Sequence, residues 1–286
     1  MSSFTNKKDN PCIEVKDYSF RYSKDQDWVV KDLNFKIDSG DFVGVIGPSG
    51  SGKSTLCLTF NGIIPHMIDG ESSGEILVHG NDIDEREVYE LAQKVGIILQ
   101  DPESQLFSMT VEDEVTFGPE ELGLPPEEIK ERSKWALEVT GLKGMENKFP
   151  EDLSGGEKQR LAIAASLSMK PDILVLDEPT SQIDPKGTKD VLSVIKKLNK
   201  QGLTIILIEH ETNYLSRYSN KILAINEGNL EFFGPTRDFF EREKLVRDLN
   251  IRIPTYVEIS YLLNSEICLT REEIIEVLEK ERSCVD

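Results

Sequence analysis

The chain is long and strongly acidic. Its 286 residues are enough for one large domain, or for one large and one small domain, each with its own core. The 33 Lys and Arg residues against 52 Asp and Glu residues give a formal net charge of −19, so most of the surface repels a phosphate backbone. The composition therefore argues against nucleic acid as a partner.

The cysteines and the apolar segments indicate a reduced, cytosolic protein that does not cross a membrane. Residues 1–11 are polar and lack the apolar centre of a signal peptide, and nowhere do about 18 apolar residues run together. The cysteines have neither C-x-x-C nor Cys/His ligand spacing, which predicts free thiols. They are Cys12, Cys57, Cys268 and Cys284.

Strand and helix patterns alternate along the chain and predict an α/β fold with a helical insertion. Alternating segments at 13–20 and 29–37 are typical of half-exposed strands, and apolar runs at 42–46 and 173–176 are typical of buried parallel strands. Further strands are expected at 74–80, 95–99, 203–208 and 222–225. The pattern is helical from Thr110, an expected N-cap, through Pro125-Pro126 to a stop at Gly141, and again in a charged tail from 236.

The run GPSGSGKST, residues 47–55, follows the apolar strand at 42–46 and fits the pattern G-x-x-x-x-G-K-[ST]. Its glycines let backbone N–H groups converge on an anion, and the next helix adds its positive N-terminus. Lys53 is then expected at the β and γ phosphates and Ser54 on Mg²⁺. A plain glycine turn is the alternative. The predicted nucleotide-binding residues here are Gly47, Pro48, Ser49, Gly50, Ser51, Gly52, Lys53, Ser54 and Thr55.

Two acidic residues end the apolar strand ILVLDEP, residues 173–179. Open α/β sheets bind ligands outside the carboxyl ends of their strands. Asp177 suits Mg²⁺, directly or through water, and Glu178 can reach a water aligned on the γ-phosphate. The alternative is that the two carboxylates only cap the following helix.

The segment LSGGEKQR, residues 153–160, predicts a second helix N-terminus suited to an anion. Ser154 and Glu157 have the spacing of a capping box, and Gly155 and Gly156 leave the first turn bare. One nucleotide hardly needs two such sites within one subunit, unless the second serves the nucleotide of a neighbour. An ordinary capped helix is the alternative.

These motifs, in this order, resemble those of the ATP-binding cassette (ABC) ATPases over nearly all of residues 13–234. The resemblance implies a P-loop NTPase cassette with a RecA-like core, an antiparallel β subdomain and a helical subdomain at about 101–170. The phosphate loop corresponds to Walker A, ILVLDE to Walker B, LSGGE to the signature LSGGQ, and residues 181–184 to the D-loop. Glu157 replaces the signature glutamine, and Gln182-Ile183 replace the usual Ala-Leu.

The resemblance also assigns roles that residue patterns alone leave open. It implies that Gln100 contacts Mg²⁺ and the attacking water, and that His210 contacts the γ-phosphate and acts with Glu178. Without it, a histidine after an apolar strand is more often structural. Tyr22 resembles the aromatic residue that stacks on adenine, with Phe20 and Trp28 as rivals.

Three stretches are similar to ATPase subunits of energy-coupling factor (ECF) transporters: residues 100–107, residues 61–66 and the tail from 232. This similarity implies an ATPase that powers a vitamin or transition-metal importer from the cytoplasmic face of the cell membrane. The implied partners are a second ATPase subunit (itself or a paralogue), a transmembrane coupling protein and a substrate-binding membrane protein. Residues 235–286 are then a C-terminal extension that contributes to ATPase–ATPase contact.

The remaining alternatives are an ATPase of another ABC transporter class, a soluble ABC ATPase and a non-catalytic ATP-binding regulator. Residues 101–118 also predict an apolar groove with an acidic rim, which the resemblance implies is a socket for an arginine-bearing coupling helix. A solvated, capped helix is the alternative. The predicted acidic rim is Asp101, Glu103, Glu112, Asp113 and Glu114, and the apolar residues are Leu106, Phe107, Met109, Val111 and Val115.

Overall fold

The computed structural model describes residues 11–283, with side chains through residue 280. The polar residues 1–10 and Cys284 therefore lie outside the described residues. The other three cysteines are buried free thiols, as predicted.

Two sheets form the framework. An antiparallel sheet has the strand order β2-β1-β4-β5, and a larger sheet has the order β10-β9-β3-β8-β7-β6. The strands are β1 Pro11–Arg21, β2 Val30–Asp38, β3 Phe42–Ile46, β4 Glu71–Val78, β5 Asn81–Asp82, β6 Val95–Ile98, β7 Ile173–Asp177, β8 Thr204–Ile208, β9 Lys221–Asn226 and β10 Asn229–Pro235.

Strands β3, β6, β7, β8 and β9 of the larger sheet are parallel, and only β10 runs antiparallel to its neighbour β9. The carboxyl ends of the parallel strands therefore share one edge. The segments beginning at Gly47, Leu99, Glu178 and Glu209 all leave the sheet at that edge. This topology gathers motifs that are more than 160 residues apart in sequence.

The helices cover the sheets and form the predicted insertion. They are α1 Lys53–Phe60, α2 Ile63–His66, α3 Val88–Ala92, α4 Val111–Glu121, α5 Pro126–Thr140, α6 Gly155–Ser168, α7 Pro185–Lys200, α8 Thr212–Tyr218, α9 Thr236–Glu241, α10 Glu243–Asp248, α11 Thr255–Leu263 and α12 Arg271–Ser283. Thr110 caps α4 by accepting from Asp113 N, and Gly141 ends α5 in a left-handed conformation, both as predicted.

The predicted strands are present, with shifts of one to three residues at their ends. Strand β4 begins at Glu71 rather than at 74, and β5 and β10 were not predicted. Alternate residues of β3 enter opposite cores, since Phe42 and Ile46 pack in one cluster while Val43 and Val45 pack in the other.

The tail packs onto the first of these clusters, to which it contributes Phe239, Phe240, Val246, Leu249 and Val257. The first residue of α11 also contacts α8, because Asn213 Oδ1 accepts from Thr255 N over 2.9 Å. Within residues 11–283, no helix is both long enough and apolar enough to span a bilayer.

Candidate nucleotide site

The loop 47–52 between β3 and α1 has two positions that only glycine can occupy. A Cβ atom on Gly47 would lie 2.0 Å from the Ile225 carbonyl oxygen. Gly52 has φ +100°, and its Cβ would lie 2.7 Å from the Val29 carbonyl oxygen. The backbone of the loop is thus confined between β9 and the chain before β2.

Polar groups of this loop are available for an anion. The Lys53 ammonium group donates to the carbonyls of Gly47 at 2.9 Å and Pro48 at 2.8 Å, so it lies over the loop. Burial lowers the pKa of Lys53, while the carboxylates of Glu178 and Asp177 oppose that shift. The buried Ser51 hydroxyl has no protein partner among the described side chains. Buried hydroxyls are normally hydrogen-bonded, so a ligand or water is expected there.

Asp177 ends β7 beside the first turn of α1. Burial raises the pKa of its carboxyl, and a hydrogen bond from the Ser54 hydroxyl opposes that shift. Asp177 and Ser54 therefore place an acidic oxygen and a hydroxyl oxygen together next to the phosphate loop. Oxygen ligands of this kind, completed by phosphate and water, suit Mg²⁺.

Glu178 is held on both oxygens by the other two predicted catalytic residues. Gln100 Nε2 donates to Glu178 Oε2 over 3.0 Å, and His210 Nε2 lies 2.8 Å from Glu178 Oε1. Glu178 itself has φ +48°, a strained conformation for a residue with a side chain. Such strain is concentrated at functional sites. The structure thus brings together three side chains that come from three strand ends.

Tyr22 lies immediately after β1, and its hydroxyl is 2.9 Å from Thr55 Oγ1 in α1. Its ring contacts Phe20 edge-on, with 5.1 Å between ring centroids. Phe20 is fully buried, whereas 41% of Tyr22 is exposed. Of these two aromatics, Tyr22 is the one with a face open to a ligand. Trp28 is covered on one face by the Arg21 guanidinium, 4.6 Å from the ring centroid.

The segment at 153–160 forms the predicted capping box at the start of α6. Ser154 N donates to Glu157 Oε2 over 2.8 Å, and the Ser154 hydroxyl donates to the same oxygen over 2.7 Å. These bonds lower the pKa of Glu157. The turn contacts the D-loop rather than standing free, because a Cβ atom on Gly155 would lie 3.2 Å from Ile183 Cγ2.

The structure corrects part of the predicted socket at 101–118. Val111 and Val115 are fully buried and cannot line a surface groove. Glu114 is not a rim residue either, since its buried carboxylate accepts from Phe107 N at 3.0 Å and Ser108 N at 2.8 Å. An acidic residue in the first turn of a helix usually faces water, but here the preceding loop folds back over it.

Of the other predicted apolar residues, Leu106 is partly buried against the core, whereas Phe107 and Met109 are exposed. Phe107 is 66% exposed and Met109 is 71% exposed. Phe117 packs edge-on against Phe107, with 4.8 Å between ring centroids. Glu112 and Asp113 are exposed beside them at the start of α4, whereas Glu103 pairs with Lys158 of α6.

Four residues near the site were not predicted from the sequence, namely Thr180, Glu209, Gly187 and Gln159. Glu209 is buried next to His210 and accepts from Thr180 Oγ1 over 2.6 Å. Gly187 in α7 approaches Gly156 so closely that a Cβ on Gly156 would lie 2.9 Å from Gly187 Cα. Gln159 is 1% exposed, and its Nε2 has no partner among the described residues. Position next to a motif was the only available signal for these residues.

Comparison with known proteins agrees with this geometry. Residues 30–181 match the family model described as ABC transporter. A putative ABC transporter ATP-binding protein of Pyrococcus horikoshii is 48% identical over 273 residues, which cover 93% of this chain and 96% of that protein. The protein of Methanocaldococcus jannaschii named energy-coupling factor transporter ATP-binding protein EcfA is 40% identical over 256 residues, covering 89% and 90%.

Solved structures of cassettes also superpose on this chain. The structure of cbiO1 from Clostridium perfringens, described as part of the ABC transporter complex cbiONQ, has a TM-score of 0.75 and 33% identity, covering 90% of this chain and 100% of that one. A dimeric cassette in a post-hydrolysis state with ADP and Pi has a TM-score of 0.67 and 26% identity, covering 79% and 99%. The chain therefore belongs to the ABC transporter family and is an ABC-type ATPase.

Proposed function

We propose that this chain is the ATP-hydrolysing subunit of an energy-coupling factor importer for a vitamin or a transition-metal ion. The observation that carries the proposal is the 40% identity to a protein named EcfA across 89% of this chain and 90% of that one. The likeness to cbiO1, described as part of a cbiONQ complex, supports it. The chain works as a peripheral protein at the cytoplasmic face of the membrane.

In this proposal the site residues act as a hydrolytic set. Glu178 takes the proton of the attacking water, and Gln100 and His210 keep its carboxylate in place from either side. His210 also contacts the γ-phosphate, and Lys53 neutralises charge on the phosphates. Tyr22 stacks on adenine. The preformed Glu178 contacts support this assignment, since positioned groups contribute to rate without reorganising during reaction.

Ser54, Asp177 and Gln100 would hold Mg²⁺, which would neutralise negative charge on the phosphate oxygens. The hydrogen bond between Ser54 and Asp177 supports this assignment, because it places two oxygen groups side by side at the phosphate loop. A protein needs to supply only one or two ligands when phosphates and water provide the others.

The signature turn serves a second ATPase subunit, either another copy of this chain or a paralogue. Ser154, Gly155 and Gly156 contact the ATP held by the phosphate loop of that subunit. Their position supports the role: the turn is capped internally by Glu157 and packs on the D-loop at Ile183. Residues 13–234 form the cassette domain, with its helical subdomain at about 101–170, and residues 235–286 contribute to contact between the two ATPases.

The apolar surface of Phe107, Met109 and Phe117 receives the transmembrane coupling protein. Exposed apolar clusters of this kind mark interaction sites on soluble proteins. Glu112 and Asp113 beside it provide charge complementary to arginines of a coupling helix. The substrate-binding membrane protein contacts the complex through the membrane subunits and determines what is transported.

Co-purification tests the proposal. The tagged chain, expressed in its own host and extracted in detergent, should recover a polytopic coupling protein and a small substrate-binding membrane protein. Membranes lacking this chain should lose ATP-driven uptake of that substrate. Recovery of a different class of permease would favour another ABC transporter class, and a chain recovered without membrane proteins would favour a soluble ABC ATPase.

A further inference from the structure

Glu209 is a buried carboxylate beside the hydrolytic pair. It directly precedes His210, and only 6% of its surface is exposed. The two residues that follow it pair elsewhere, His210 with Glu178 and Glu211 with Arg252. A carboxylate removed from water in this way needs hydrogen-bond donors.

Thr180 supplies those donors. Its hydroxyl donates to Glu209 Oε1 over 2.6 Å, and its backbone also hydrogen-bonds to the carboxylate. Burial raises the pKa of Glu209, and the bonds from Thr180 oppose that shift. Thr180 follows Glu178 by two residues and directly precedes the D-loop. The contact therefore joins the segment that carries Glu178 to the segment that carries His210.

Two other contacts connect the same segments. Glu178 N donates to the Ile208 carbonyl over 3.0 Å, and His210 Nε2 reaches Glu178 Oε1 over 2.8 Å. In the second contact the His210 side chain is 54% exposed, so water competes with Glu178 for the histidine nitrogen. The bond between Thr180 and Glu209 is part-buried, with its carboxylate only 6% exposed, and it involves neither hydrolytic side chain. It can therefore fix the spacing of the two segments while Glu178 and His210 exchange partners during turnover.

We propose that Glu209 is a positioning residue whose hydrogen bonds to Thr180 hold the His210 segment and the D-loop at a fixed spacing. The contact keeps His210 and Glu178 aligned through the catalytic cycle, and it links them to the D-loop residues that lie against the signature turn. This inference rests on the proposed roles of Glu178 and His210.

Thr180→Val tests the contact directly. The substitution keeps the shape of the side chain and the backbone donor but removes the hydroxyl, which leaves Glu209 buried with one donor fewer. In the full-length protein, kcat for ATP hydrolysis should fall about tenfold to a hundredfold, the range for a lost bond to a charged group. The KM for ATP should change less than about threefold, because neither residue touches nucleotide. Thr180→Ser restores the hydroxyl and should recover most of kcat.

A double variant distinguishes a specific contact from separate effects. Glu209→Met removes the acceptor at similar side-chain length, and it should lower kcat as Thr180→Val does. Combining the two should lower kcat no further than the more damaging single variant, because the contact can be lost only once. Thr140→Val is the matched control: it removes a buried hydroxyl bonded to Ala136 O at 2.8 Å in α5, and it should lower the melting temperature without lowering kcat.

Three results would overturn the inference: unchanged kcat in Thr180→Val, additive losses in the double variant, or a Thr180→Ser variant as inactive as Thr180→Val. If Thr180→Val does not fold, Glu209→Met decides the same question. Glu178→Gln and His210→Ala are measured alongside. Normal ATP hydrolysis in Glu178→Gln and His210→Ala refutes the catalytic assignment itself. If those two variants are inactive while Thr180→Val has a normal kcat, only the role of Glu209 is refuted.

Discussion

Glu178→Gln is the most direct test of the hydrolytic site. The substitution keeps the size of the side chain but removes its charge and its capacity to accept a proton from water. Both oxygens of Glu178 are engaged, one by Gln100 at 3.0 Å and the other by His210 at 2.8 Å. An amide has only one carbonyl oxygen, so the variant can accept from one of these two neighbours but not from both.

The expected loss of activity is much larger than the expected loss of stability. Removing a general base lowers turnover about 10²-fold to 10⁴-fold, or roughly 2.7–5.4 kcal/mol of activation free energy. The His210 side chain in this contact is half exposed, and even a fully charged exposed pair contributes at most about 1 kcal/mol to folding. The variant should therefore fold and bind ATP while it scarcely hydrolyses it.

The assay compares phosphate release, equilibrium ATP binding and melting temperature on the same preparation. Lys53→Ala, purified in parallel, measures contaminating ATPases, because that variant lacks the cation at the phosphate loop. Turnover within about tenfold of the unmodified protein refutes Glu178 as the base. Parallel losses of hydrolysis and ATP binding would refute it too, since they would place Glu178 in binding rather than in catalysis.

The remaining predictions concern the second subunit and the membrane partner. If the chain forms a homodimer, either variant alone should be inactive, whereas mixing Lys53→Ala with Ser154→Arg should restore hydrolysis at one of the two sites of each mixed dimer. Loss of ATP binding by monomeric Ser154→Arg would contradict a role in trans. Phe107→Ala, or charge reversal at Glu112 and Asp113, should leave soluble hydrolysis intact but reduce recovery with membrane subunits; unchanged assembly and uptake would leave this surface without a docking role.

The elements that position the site could be predicted because each has a local cause. Buried parallel strands are short apolar runs, and β3, β7 and β8 were all visible in this form. Each is followed at once by a motif, and parallel strands end at one edge, so convergence of the motifs follows from the order of strands and loops. The N-cap at Thr110, the capping box at Ser154 and the left-handed stop at Gly141 are equally local.

Contacts between distant segments could not be predicted in this way. Glu209 and Thr180 are 29 residues apart, and neither residue type in its own context indicates a bond between them. Glu114 was misassigned for the same reason, because its partners are backbone N–H groups of a loop whose path no pattern specifies. No sequence pattern around Gly187 indicates its close approach to Gly156.

These non-local contacts make the loops around the site physically continuous. Gly156 and Gly187 pack backbone to backbone, so the signature turn cannot shift without moving the start of α7, which Asp184 caps at Gly187 N over 2.6 Å. The preceding D-loop leads to Thr180, and Thr180 holds Glu209 beside His210. Contiguity alone does not establish energetic coupling, which needs a measured interaction between two positions. Non-additive kcat losses at Thr180 and Glu209 would supply that measurement, because only coupled positions depart from additivity.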